Sequence, residues 1–315
     1  MGTQDSTIKK KLLFTLGCSF TEGDGAYPEE PFFELLGIPL DCSERMKWHG
    51  TSLQNRLRNE NVTHFHKNGW PPRLVKKLGY DKLINVGKCA SSTSYQVKLL
   101  FDKYWNFPFH HYETLMIIYC TDASRFSFYS GGAPMTFMAG DPTRPYTLSG
   151  RYAKIIQDPN LDTILEQIHH LKCLEVFCKS KGITLKIMNY HEREDEIMKR
   201  IYRTDVYMES KKWDPLPFQH DSFYNDNMDN RYHSPICFHP NKKGYELMAE
   251  NVYNKIKELY PHLIRTEGFN NKPEMIWDGS LNTFPHILQD RIYYNHEGLS
   301  HEEAEHYQKT GKPFM

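Results

Sequence analysis

Residues 11–23, KLLFTLGCSFTEG, join a short apolar run to a glycine-bounded turn that carries a serine. The apolar run has the length and composition of a buried strand, and Gly17 ends it. Ser19 follows two residues later, where a turn at the carboxyl edge of a sheet presents its side chain. Open α/β folds bind their ligands at that edge. Because serines are common in turns for local hydrogen-bonding reasons, this stretch alone indicates a fold and not yet a chemistry.

A second signal lies far downstream, in CFHPNKKGY at residues 237–245. Here His239 stands directly before the Pro-Asn start of a helical segment. A serine nucleophile needs a base, and the two can be distant in sequence while they meet in space. We therefore expect the imidazole of His239 to lie within about 2.6–3.2 Å of the Ser19 hydroxyl.

The composition excludes several classes of partner. Basic and acidic residues balance at 39 each, so the chain has no overall basic character for nucleic-acid binding. No apolar run approaches the roughly 20 residues that span a bilayer, and residues 1–17 lack a signal-peptide core and cleavage site. Residues 1–6 fit a myristoylation pattern, but the match is too short to carry weight.

The seven cysteines lack C-x-x-C spacing, which favours reduced thiols in a cytoplasmic protein.

Apolar strands and amphipathic helices alternate along most of the chain. The predicted strands cover residues 12–16, 82–86, 114–119 and 183–188. The predicted helices cover residues 44–58, 71–78, 92–104, 161–179 and 241–259. Continuous apolar strands separated by helices predict a parallel sheet with helices on both faces. The expected fold class is therefore α/β, a three-layer α/β/α sandwich with a mostly parallel sheet.

Three regions lie outside this alternation. Residues 127–154 are rich in Gly, Pro, Thr and aromatic residues, and they predict either a lid over the site or a solvent-facing insertion without a role. Residues 202–234 are crowded with Asp, Asn, Tyr and Phe. Beyond residue 264 the sequence is polar with weak periodicity. We therefore expect one domain over residues 1–264, containing the inserted loop, and a C-terminal extension over residues 265–315.

Four short blocks occur in a definite order along the chain. GCSFTEG at residues 17–23 has the form Gly-x-Ser-x-Thr-x-Gly, and NVGKCA at residues 85–90 follows the second strand. YCTD at residues 119–122 ends the third strand, and His-Pro at residues 239–240, with Gly244, opens the final helix. In order, spacing and context these blocks resemble those of the SGNH, or GDSL-type, hydrolases. The resemblance implies a flavodoxin-like fold.

The resemblance also implies a serine esterase. Ser19 would attack a carboxylic ester and carry the acyl group, while His239 would take the serine proton. The oxyanion would be held by the backbone N–H groups of Ser19 and Ala90 and by the side chain of Thr121. Such donors must be aimed in advance at the developing charge. Further residues would shape the site: Gly17, Gly23, Asn85, Gly87, Asp122 and Arg125.

Two of the implied oxyanion donors depart from the family pattern. Ala90 stands in place of a glycine, but it still offers a backbone N–H. Thr121 stands in place of an asparagine, and its shorter hydroxyl predicts a weaker or reorganised oxyanion hole. The neighbouring Asp122 either orients a loop through Arg125 or caps the following turn.

The position of the family's triad aspartate holds Ile236, which has no side-chain acceptor. An imidazole that becomes charged gains from an acceptor on its other nitrogen. We expect Asp226, Asp229 or a backbone carbonyl to orient His239 in this way. If none does, the alternative is a degenerate, non-catalytic protein of the same fold that serves in binding or as part of a virion.

The remaining signals bear on ligands. The 16 histidines include no H-E-x-x-H helix or Cys/His quartet, so we expect no metal and no cofactor. The absence of a large apolar lid-like helix argues against long-chain lipids, and aromatic-rich loops favour an acetylated carbohydrate or another small acyl ester. The aromatic candidates are Phe126, Phe128, Tyr129, Tyr146, Tyr224 and Tyr232. WPPRL at residues 70–74 adds a resemblance to SGNH proteins encoded by large viruses of bacteria.

Overall fold

The computed structural model describes residues 9–28, 52–89, 91–121, 125–130, 133–137, 161–188, 198–201, 206–208, 232–234, 239–266 and 272–278. The strands are β1 Lys10–Leu16, β2 Lys82–Asn85, β3 Tyr112–Tyr119, β4 Phe126–Ser130, β5 Ala133–Phe137, β6 Thr184–Met188, β7 Tyr207–Met208 and β8 Glu274–Trp277. The helices are α1 Ser19–Glu22, α2 Ser52–Asn68, α3 Trp70–Lys77, α4 Thr93–Tyr104, α5 Leu161–Lys181 and α6 Lys242–Leu259. Short 3-10 turns cover Phe109–His111 and Pro261–Leu263.

The main sheet is parallel throughout, with the strand order β7-β6-β3-β1-β2-β8. Five strands form its body, and β7 adds two residues at one edge. The central strand β1 pairs with β3 over its whole length and with β2 from Leu12 to Thr15. From β1 the chain first adds β2 on one side and then β3 on the other, which makes the β1–β3 junction the topological switch point. All carboxyl ends meet at one edge, as expected for the predicted parallel α/β sheet.

Both faces of the sheet are covered, because the strands are buried on both sides. Leu13 of β1 joins one core cluster, while its neighbours Leu12 and Phe14 join the other. The first cluster contains side chains of α3 and α6, among them Trp70, Val75, Met248 and Val252. The second contains side chains of α4 and α5, among them Tyr95, Leu100, Leu171 and Leu174. The helices therefore flank the sheet on each face, and the predicted covering of both faces is confirmed.

The helix predicted over residues 44–58 is the one whose bounds differ most from the structure. Its described counterpart, α2, runs from Ser52 to Asn68, and residues 44–51 lie outside the described residues. Residues 59–68, which the prediction did not include, are largely polar. Among them only Val62 and Phe65 pack with the hydrophobic core. With so few apolar anchors the helical period is faint, so the sequence pattern did not reveal the second half of this helix.

Two regions interpreted as irregular contain strands. Residues 274–277, placed by the sequence in the extension, form β8, which pairs with β2 from Lys82↔Glu274 to Asn85↔Trp277. β8 is an exposed to half-buried edge strand, so it lacks the continuous apolar run that marked the inner strands. The insertion begins as an antiparallel β4–β5 hairpin. Its remainder, residues 138–154, and the end of the chain after residue 278 lie outside the described residues.

None of the helices in the described segments is both long enough and apolar enough to cross a bilayer.

Candidate active site

Ser19 and His239 lie side by side although 220 positions separate them in sequence. Ser19 is the first residue of α1, just after β1 ends, and its side chain is 3% exposed. His239 precedes the start of α6. The imidazole Nε2 and the serine Oγ are 2.7 Å apart, within the range expected from the sequence. A hydroxyl and an imidazole in this contact can exchange a proton.

The loop that carries His239 is fixed by the start of α6. Asn241 is the N-cap, and its side chain accepts a hydrogen bond from Gly244 N at 2.9 Å. The backbone of Asn241 donates to Tyr232 O at 2.8 Å, and Ser234 N donates to His239 O at 3.0 Å. The Pro-Asn signal in the sequence therefore marks a capped helix start that holds the histidine in place.

The serine turn packs closely around the histidine. Gly25 has φ +93, and a Cβ built there would lie 2.6 Å from Cβ of His239. Tyr245 of α6 donates its hydroxyl to Asp24 O at 2.7 Å. The rings of Phe20 and His239 have centroids 5.0 Å apart. The turn after β1 therefore packs against His239 and is hydrogen-bonded to α6.

Gly17 allows the turn that presents Ser19. Its φ is +153, and a Cβ there would lie 2.2 Å from Oγ1 of Thr21. Its carbonyl accepts from Lys88 N and from Ser91 Oγ, each at 3.0 Å. The first and second sequence blocks are therefore joined through the backbone of this glycine.

Asn85 joins the same two blocks through its side chain. Its Oδ1 accepts from Thr15 Oγ1 at 3.0 Å and from Gly87 N at 2.9 Å, and its Nδ2 donates to Thr21 O at 2.8 Å. A Cβ on Gly87 would lie 2.7 Å from Cβ of Thr21. The predicted site-shaping residues Asn85 and Gly87 thus lie against the serine helix. The predicted oxyanion residue Ala90 lies outside the described residues.

Thr121 caps the end of β3 against the start of α4. Its N–H donates to Thr93 Oγ1 at 3.0 Å, and its own Oγ1 accepts from Thr93 N at 3.2 Å. The two Oγ1 atoms lie 3.5 Å apart, and either hydroxyl can be the donor in this contact. The part of Thr121 in the oxyanion hole stays a prediction. Asp122 lies outside the described residues, while Arg125 is half-buried just before β4.

A group of buried charges beside the serine was not predicted from the sequence. Glu22 accepts hydrogen bonds at 2.7 Å from both Arg58 Nη2 and Cys89 N, and Arg58 Nε donates to Asp24 at 3.1 Å. Burial alone raises the pKa of Glu22, but the Arg58 guanidinium, His66 and the Cys89 N–H together lower that pKa to about 2. The one available signal was the acidic residue inside the first block, in a turn that packs among apolar elements.

Two further groups border these charges. His66 stacks on Trp277 with ring centroids 4.5 Å apart, and its Nε2 lies 3.9 Å from Glu22 Oε1. Burial lowers the pKa of Lys88 to about 8, an effect that the charge of Glu22 opposes. Trp277 of β8 therefore contacts a residue that lies beside Glu22.

The acceptor for the second imidazole nitrogen of His239 is predicted to be Asp226, Asp229 or a backbone carbonyl. Asp226, Asp229 and Ile236 lie outside the described residues, so their assignment stays a prediction.

Within the described ranges, no three His, Cys, Asp or Glu side chains are grouped so that they could hold a metal ion. No protein-family model matches the chain, and no curated protein matches its sequence.

Proposed function

We propose that this chain is a serine esterase of the SGNH type, which hydrolyses a carboxylic ester through an acyl-enzyme on Ser19. The observation that carries the proposal is the 2.7 Å contact between Ser19 Oγ and His239 Nε2. Contacts of this kind between a hydroxyl and a base are the structural signature of an activated nucleophile. Their position at the carboxyl edge of a parallel sheet adds support, because open α/β folds bind ligands there.

The strand order supports the finer, flavodoxin-like type. Counted in chain order, β2-β1-β3-β6-β7 reads 2-1-3-4-5, which is the flavodoxin-like arrangement. Ser19 follows β1 and Thr121 follows β3, so both residues belong to the switch point of this topology. β8 is an addition beyond β2 at the opposite edge.

The proposed reaction has two steps. His239 Nε2 takes the proton of Ser19 Oγ as this oxygen bonds to the ester carbonyl carbon, and it returns the proton to the departing alcohol. Water then attacks the acyl-enzyme with the same histidine as base, which releases the acid and restores Ser19. In both steps the carbonyl oxygen carries negative charge, and we assign its stabilisation to the N–H groups of Ser19 and Ala90 and to the hydroxyl of Thr121.

The Ser19 N–H suits this assignment. Ser19 is the first residue of α1, and the first N–H groups of a helix have no acceptor within it. A donor at this place needs no rearrangement before the reaction. The burial of Ser19 favours a small acyl group, consistent with an acetylated carbohydrate or a similar small ester as substrate of a cytoplasmic enzyme.

Kinetics of a serine variant test the proposal. We expect the purified chain to hydrolyse p-nitrophenyl acetate, and Ser19→Ala to lower kcat by about 10³-fold or more. Ser180→Ala is the matched control, because Ser180 lies near the end of α5 and its hydroxyl donates to Phe177 O of the same helix at 2.8 Å. That variant should keep the kcat of the parent protein.

A Ser19→Ala protein that keeps most of its activity would remove Ser19 as nucleophile. A folded parent protein without any turnover of small esters would support the binding-only alternative instead.

A further inference from the structure

Glu22 joins two parts of the proposed site that are far apart in sequence. It is the last residue of α1, three positions after Ser19, and the same oxygen, Oε2, accepts from Arg58 Nη2 and from Cys89 N at 2.7 Å. Cys89 N belongs to the turn after β2. The residue that follows Cys89 is Ala90, whose N–H we assign to the oxyanion hole.

Arg58 supplies the charge that makes this arrangement stable. The guanidinium comes from α2 and donates to both Glu22 and Asp24, at 2.7 and 3.1 Å. It thereby spans the serine turn from the end of α1 to the residue before Gly25. A buried carboxylate is costly unless a charged partner and hydrogen-bond donors surround it, and Glu22 has both.

A carboxylate held in this way restricts the backbone that bonds to it. Hydrogen bonds between an ionised acceptor and an N–H are shorter and about twice as strong as neutral ones. The bond from Cys89 N to Glu22 therefore fixes the peptide unit that enters Cys89. Ala90 is bonded directly to Cys89, so the position of Cys89 limits the distance from Glu22 at which the Ala90 N–H can lie.

We propose that Glu22, held by Arg58, is a positioning residue that sets the oxyanion turn after β2 relative to the nucleophile helix. This inference rests on the proposed esterase function. Glu22 itself does not touch the reacting atoms. It acts through the Cys89 peptide, so its replacement changes the aim of a donor and not the supply of a nucleophile or base.

A matched control carboxylate lies at the amino ends of the strands, away from the carboxyl ends that carry Ser19. Asp81 also accepts from one backbone N–H and one arginine, namely Lys11 N at 2.8 Å and Arg265 Nη1 at 2.7 Å. It directly precedes β2, whereas the turn held by Glu22 follows that strand. The two carboxylates thus have the same kinds of partner, but only Glu22 lies at the edge that carries Ser19.

The test compares kcat and KM for p-nitrophenyl acetate among Glu22→Gln, Glu22→Ala, Asp81→Asn and the parent protein. We expect kcat to fall about 10-fold in Glu22→Gln and about 100-fold in Glu22→Ala, since a misplaced group of about 1 Å costs rate on this scale. KM should stay within about 2-fold, because the donor acts chiefly in the transition state. Asp81→Asn should keep kcat within about 2-fold.

Hydrogen exchange of the peptide covering residues 86–91 gives a readout that needs no catalysis. We expect faster exchange there in Glu22→Gln than in the parent protein, and no change in Asp81→Asn. Unchanged exchange in Glu22→Gln overturns the inference, whatever the kinetics show. Equal losses of kcat in Glu22→Gln and Asp81→Asn also overturn it.

The same design separates failure of the inference from failure of the proposed function. If Ser19→Ala keeps its activity, the esterase proposal fails while the exchange result still decides whether Glu22 fixes the turn. If Ser19→Ala is inactive but Glu22→Gln has normal kcat and exchange, the esterase proposal stands and the positioning role is wrong.

Discussion

Among the single residues of the site, Gly25 brings the backbone of the serine turn against His239. It combines a left-handed φ of +93 with a backbone approach that leaves no room for a Cβ beside His239. The first property is a matter of local conformation, and the second is a matter of packing. A second glycine, Gly182, has the first property without the second, with φ +68 and nothing within 4 Å of a built Cβ.

Alanine variants of Gly25 and Gly182 separate the effect of backbone conformation from the effect of packing against His239. Gly25→Ala should lower kcat by at least 10-fold, because the new methyl group displaces His239 from Ser19 by a distance on the scale that costs rate. Gly182→Ala should leave kcat unchanged and reduce the free energy of unfolding by about 1 kcal/mol, the cost of a left-handed alanine. Steady-state kinetics and urea unfolding provide both numbers. Normal kcat in Gly25→Ala would show that His239 tolerates the displacement or is not the base.

At the scale of elements, the Glu22–Arg58 ion pair fastens α2 to α1. Its contribution to stability depends on pH with a definite sign. The pKa of Glu22 is about 2 in the folded protein against an ordinary value of 4.5, so folding favours the ionised form. The stabilisation is therefore complete above about pH 4.5 and is lost as the pH falls through about 2.

Chemical unfolding at several pH values checks this sign. The difference in free energy of unfolding between the parent protein and Glu22→Gln should be largest near pH 6, on the order of 3 kcal/mol from the size of the pKa shift. It should shrink steadily as the pH approaches 2.5. Glu246→Gln is the control, because Glu246 forms an exposed pair with Arg73 at 3.7 Å and such pairs contribute little. A difference that does not change between pH 6 and pH 2.5 contradicts the assignment.

The inner strands and helices were predictable from the sequence because burial requires apolar residues at regular positions. β1 and β3 each contain a buried and mostly apolar run that continues to the end of the strand. α5 repeats its apolar residues at the helical period, so the existence and order of these elements could be predicted. The edge strand β8 and the second half of α2 were not predictable, since each buries only a few side chains. Whether such segments join the fold depends on contacts with distant residues, such as Trp277 with His66.

For the molecule as a whole, the parallel sheet explains why the site could be located at all. The carboxyl ends of β1, β2 and β3 meet at one edge, so the residues after each of them were expected to lie together. The proximity of Ser19 and His239 was expected from the need of a serine nucleophile for a base and from the order of the four sequence blocks. The Glu22–Arg58–Cys89 contacts did not follow, because they join three segments whose relative placement no local pattern encodes.

The most direct measurement for the central claim is the covalent labelling of the intact protein by a fluorophosphonate, mapped by mass spectrometry. The Ser19–His239 account predicts one adduct per chain, located on Ser19, with labelling abolished in Ser19→Ala and strongly slowed in His239→Ala. Labelling at another serine, or none in the folded parent protein, would contradict the account.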